Sequence, residues 1–191
     1  MLMMLAGMVL FFAPHSVSVA ASGWRARMLL HLGAGTWKGI YSLISAAGFI
    51  LMLVGYGHTR AAPLVLYVSP AWLHYLTWLL MLPVFPLLFA AYLPGRIRTA
   101  TRHPMLAAVK IWATAHLLVN GTLGDVLLFG SFLAWAVVVR ISLKRRVAAP
   151  VPSAPPSRYN DVVALLAGLA LYALFIYRLH ALLIGVPLLP S

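Results

Sequence analysis

A chain of 191 residues that is 63% hydrophobic and only 8% charged is not a soluble domain, because ordinary globular chains are about one-quarter charged. A mean hydropathy of +0.98 excludes disorder and collagen-like structure, and a formal charge of +12 sets fourteen Lys and Arg against only Asp125 and Asp161. The lack of cysteine excludes disulfides, zinc fingers, thiolate ligation and iron–sulfur clusters, leaving seven histidines as the strong transition-metal ligands.

Each membrane span needs about 20 residues, so about six would use nearly the whole chain and leave no room for a soluble catalytic domain. Hydrophobic runs bounded by charges or Pro/Gly clusters predict spans at Leu2–Val19, Gly39–Gly57, Ala71–Leu93, Met105–Val119, Gly124–Leu143 and Val162–Leu183. Residues 1–20 end in Ser-Val-Ala, like a signal-peptide cleavage site, but no basic segment precedes the run. A first transmembrane helix is therefore expected. The segment Ser22–Lys38, with Trp24, Arg25, Arg27 and Trp37, reads as a short amphipathic helix at the interface. Pro83 and Pro86 should kink the third span. The proline-rich stretch 147–160 reads as a cytoplasmic linker before the last helix of a single domain covering 1–191. The fold class is all-α: a polytopic membrane helix bundle.

Such a basic chain could contact nucleic acid if it were soluble, but it has no aromatic-basic recognition motif, and none is expected to bind. The positive-inside rule accounts for the charge. With the N-terminus outside, twelve cations fall on the cytoplasmic side: Arg25, Arg27, Lys38, Arg96, Arg98, Arg102, Lys110, Arg140, Lys144, Arg145, Arg146 and Arg158. Only Arg60 and Arg178 remain outside, so both termini are expected there, in a lipid bilayer.

Ionisable groups within spans are functional candidates, because burying one is costly unless it has a partner. His15 follows Pro14 in the first span and His74 opens the third. His116 has Trp112 one turn before it and Asn120 one turn after. Neutral imidazole is a good ligand for heme iron, and helix bundles commonly hold cofactors between facing helices. The alternative is that each ring bonds a neighbouring carbonyl and ties helices together. His103 and His116 lie about 20 Å apart along one helix and about 220° around it, so a single iron cannot take both. Arg102 and His103 suit an anionic group at the cytoplasmic rim: a headgroup, a propionate or a phosphate. For Lys110, anchoring by snorkelling is an equal alternative. Two separated acids cannot form a paired-carboxylate site, and no Gly-rich phosphate loop is present.

The run RIRTATRHPMLAAVKIWATAHLLVNGTLGDVLLFGSFLAWAVVVRISLKRR, with FFAPHS at Phe11–Ser16 and GTWKGIYSLISAAGF at Gly35–Phe49, resembles the NnrU family of bacterial membrane proteins. The resemblance implies an inner-membrane protein associated with nitrite and nitric oxide reduction. The domain is also similar to the membrane part of plant 15-cis-zeta-carotene isomerase, a heme b enzyme. It implies heme b held by His15 and His116, with Trp112 in the same motif and Asn120 beside it. The chain departs from the family at Thr122 and Val139, where acids are frequent. It departs from the isomerase at Ala113, where that enzyme has a cysteine. Axial rise puts His15 about 9 Å from the cytoplasmic surface and His116 past the midplane, so His74 matches His116 better in depth.

Other readings stand beside this one. They are a heme-dependent isomerase of carotenoid-like lipids and a non-enzymatic assembly or regulatory partner of nitric oxide reductase or another membrane redox protein. The Arg-His-Pro entry to a helix also resembles the isoprenylcysteine methyltransferases. Their downstream acidic and aromatic cofactor contacts are missing here.

Overall fold

The computed structural model describes residues 1–145 and 151–189. Arg146 and residues 147–150 of the expected linker lie outside the described residues, and 151–157 have no regular structure. The described residues contain no strand beyond an isolated antiparallel bridge between Val65 and Thr122. Helix α1 is Leu2–Ala20 and runs uninterrupted through Pro14. Helix α2, Ser22–Thr59, is divided at Gly33, whose φ of 76° and ψ of 159° separate 22–32 from 34–59. Trp24 and Trp37 meet edge-to-face across that break at 5.6 Å. The expected interfacial segment is thus a distinct helix as far as the glycine, and its last residues belong to the span.

The expected third span is two helices, α3 at Trp72–Met81 and α4 at Val84–Ala90. Pro83 has no N–H to continue the ladder, and the Leu79 carbonyl accepts instead from Leu82 N–H at 3.3 Å. Pro86 sits in the first turn of α4, where N–H groups lack helical partners anyway. Next come α5 (Arg96–Thr101), α6 (Pro104–Val119) and α7 (Leu123–Ser142). The last span is α8 (Asn160–Leu174), a π-helical turn Phe175–Leu179 and α9 (His180–Ile184). Among the described residues five segments are long and apolar enough to cross a membrane: Leu2–Ala20, Ser22–Thr59, Trp72–Ala90, Leu123–Ser142 and Asn160–Ile184. The remaining expected span is α6, with 16 residues.

The helices form two compact units. The first contains Met1–Val68 and Gly121–Ser131. Here α1 and α2 lie antiparallel with Gly7 against Met52, Gly48 against Leu10 and Phe11, and Gly55 against Met4; a Cβ at any of the three would strike the facing backbone. Such small residues let helices approach closely in lipid, where no hydrophobic force drives them together. Met4 and Met52 fill the space between, fully buried. The second unit contains Ser69–Asn120 and Phe132–Ser191. Its core is Val84, Leu87 and Ala108, packed by Met81, Ile97, Ile111 and Trp112. Gly168 of α8 abuts the Pro86 backbone of α4, the same close-approach device.

Candidate functional site

His116 is half-buried in the last turn of α6, in the second unit. Its Nδ1 lies 2.8 Å from the Trp112 carbonyl, and its ring 5.2 Å from the Trp112 ring. Trp112 meets Phe132 edge-on at 5.3 Å. Asn120 ends the helix: its backbone N–H and its Nδ2 both donate to the His116 carbonyl, at 2.9 and 3.0 Å. The carbonyl can only accept, so Nδ1 carries the proton and, in the neutral ring, Nε2 carries the lone pair. His15 repeats the arrangement in the first unit. Its Nδ1 lies 2.6 Å from the Phe11 carbonyl, its ring stacks on Phe11 at 4.2 Å, and Tyr41 is 5.1 Å away.

His74 is exposed on α3, with Nδ1 3.2 Å from the Ala71 carbonyl. The Thr77 hydroxyl donates to the Ala115 carbonyl at 3.1 Å, and that antiparallel register puts His74 within about one turn of the level of His116. No group of three His, Asp or Glu suited to a metal ion occurs among the described residues.

Arg102 and His103 lie between α5 and α6. The His103 N–H donates to the Thr101 carbonyl at 2.7 Å, a three-residue turn with Arg102 at its centre, φ 59°. Burial first, then the Arg140 and Arg102 charges, hold the His103 imidazole below its ordinary pKa.

Two roles go unread in the sequence. Asp125, 6% exposed, accepts from the Tyr56 hydroxyl at 2.5 Å and from Thr122 N–H and Oγ1–H at 2.9 and 2.6 Å. Its own N–H donates to Thr122 Oγ1 at 3.2 Å, which makes a capping box at the start of α7. Partial burial and the Asp125 charge hold the nearby Tyr67 phenol above its usual range. The Thr-x-x-Asp spacing is the signal that could have revealed this network. Asp161 accepts from the N–H groups of Arg96 and Ile97 at 2.8 and 3.0 Å, capping α5 from a distant part of the chain. No local signal foretells that bond. Asp161→Ala should cost about 1 kcal/mol and speed amide exchange across 96–101, while exchange in α6 stays unchanged.

The family model described as NnrU protein matches residues 3–188. No curated protein and no solved structure gives a significant match. With the match spanning nearly the whole sequence, and with several helices long and apolar enough to cross a bilayer, this multi-pass membrane protein belongs to the NnrU family.

Proposed function

We propose that the protein binds heme b in the bacterial inner membrane and serves nitrite and nitric oxide reduction, with His116 and His15 as the residues that would ligate its iron. One observation carries the reading: each of these histidines gives its Nδ1 proton to the carbonyl four residues earlier, which assigns the lone pair to Nε2. A ring oriented by such a bond is the usual form of a metal-ligating histidine. The donors fit the group, because a neutral imidazole nitrogen is a ligand that heme iron would accept. When bound, it supplies a redox-active iron with affinity for nitric oxide. The chain's residues orient the rings: Trp112 and Phe11 provide the accepting carbonyls, Asn120 fixes the end of the His116 helix, and aromatic rings flank each imidazole, Trp112 beside His116 and Phe11 and Tyr41 beside His15.

The test is the visible spectrum of protein expressed with ample heme. A Soret band of low-spin, imidazole-ligated type is expected. A colourless protein would end this reading and favour an assembly or regulatory partner of nitric oxide reductase.

The proposal includes both termini outside the membrane, with the basic rim of α5 and α6 in the cytoplasm. Ser153 is exposed and the chain has no cysteine, so Ser153→Cys gives a single reporter. It should resist a membrane-impermeant maleimide in intact cells and react after permeabilisation. Labelling of intact cells would invert the topology.

A further inference from the structure

At one end of the second unit, cations gather where carboxylates are scarce. Arg102 holds a positive φ that side chains rarely adopt, immediately before His103 and the start of α6. That helix opens with Pro104 and has no side-chain cap, so its leading amides and positive dipole end belong to the same rim. The Trp112–Phe132 contact sets the register of α6 and α7. As many residues separate Trp112 from Pro104 as Phe132 from Arg140, so Arg140 lies level with the start of α6, about 12 Å along from the ring contact. Lys144 follows one turn later, and the electrostatic effect of Arg140 on His103 agrees with this placement. The chain's two carboxylates are engaged elsewhere: Asp161 receives the Arg96 and Ile97 amides, and Asp125 belongs to the first unit. Like charges held together in this way repel unless an anion joins them.

We propose that this rim, formed by Arg102, His103, the α6 N-terminus and Arg140, binds the phosphate of an anionic phospholipid headgroup. Guanidinium groups suit a phosphate because they offer paired, parallel N–H donors. Beside and below the rim, Met105, Val137, Val138 and Ile141 are exposed apolar side chains, 38–52% accessible, over which acyl chains can lie. A free phosphate would have no use for that surface. His103 and His116 are about 20 Å apart along α6, so the headgroup site is separate from any ligand of His116.

The experiment uses the full chain in nanodiscs of phosphatidylcholine, with or without phosphatidylglycerol, and reads thermal unfolding and lipid retention. Phosphatidylglycerol should raise the unfolding temperature. Each cation removed should weaken lipid retention roughly five-fold, so Arg102→Gly with Arg140→Gln should lose roughly twenty-five-fold and abolish the rise. Glycine tolerates the positive φ at 102, so that variant keeps the fold, and Arg140→Gln alone gives the intermediate value. Arg178→Gln, which removes a cation from the far end of the α8 span, should leave the rise intact. No rise with phosphatidylglycerol, or a rise that survives the double variant, overturns the site. An equal rise from inorganic phosphate in phosphatidylcholine discs overturns the lipid assignment in favour of a soluble anion.

Discussion

His116→Ala is expected to convert a low-spin heme spectrum to a high-spin one, or to strip the Soret band altogether. The ring removed is held on its helix: Nδ1 on the Trp112 carbonyl, the ring beside Trp112, and the residue's own backbone carbonyl held twice by Asn120. Alanine removes the imidazole with its bond to the Trp112 carbonyl and its contact with the Trp112 ring, but the backbone carbonyl stays capped by Asn120, so the helix should survive while the iron loses a ligand. His15→Ala should have the same kind of effect. His74→Ala should be silent, because that imidazole is exposed and its carbonyl bond is longer, at 3.2 Å. Asn120→Ala should weaken heme retention more mildly, in the 10- to 100-fold range typical of groups that orient a ligand from behind. A Soret band indifferent to His116→Ala would remove the assignment. A band that responds to His74→Ala but not His15→Ala would move the second ligand to α3.

Asp125→Ala should destabilise the fold by about 3 kcal/mol. The substitution strands the Tyr56 hydroxyl and the Thr122 N–H, both of which donate to this buried carboxylate, and it abolishes half of the α7 capping box. Tyr56→Phe removes one donor and leaves the carboxylate with its Thr122 bonds, so about half that loss is expected. Asp125→Asn keeps one acceptor oxygen and should fall between them. Unfolding midpoints in detergent for Asp125→Ala, Tyr56→Phe and the variant carrying both give the coupling, which should be strongly non-additive because the groups share one network. Additive losses would mean that the Tyr56–Asp125 contact contributes nothing of its own.

The helical, membrane-spanning character was legible because composition dominates it: runs of apolar residues this long have few alternatives. The break in the third span was equally legible, since Pro83 removes a hydrogen bond wherever it falls. Pro14 shows the limit of that rule, as α1 continues through it. Helix α5 was hidden because Arg96–Thr101 reads as a basic anchor, and its stabilising cap comes from Asp161 across a long stretch of chain. Trp112 and Asn120 could be placed beside His116 by helical spacing, yet Trp112 accepts through its backbone carbonyl and Asn120 donates in part through its backbone N–H, which sequence cannot display. Asp125 looked isolated because its phenolic partner, Tyr56, lies in another helix.

The glycine at position 33 has a consequence for the thickness of membrane the protein fits. As one straight rod, the 38 residues of α2 would extend about 57 Å, nearly twice the roughly 30 Å of a bilayer's hydrocarbon. Tilt alone could not absorb such an excess, and Arg25 and Arg27 would be drawn toward the acyl chains or thrust far beyond the headgroups. A backbone at φ 76° and ψ 159° is open essentially to glycine alone. It ends the rod, leaving 34–59 at about 39 Å, a length that a moderate tilt accommodates. One residue without a side chain thereby matches this helix to its solvent.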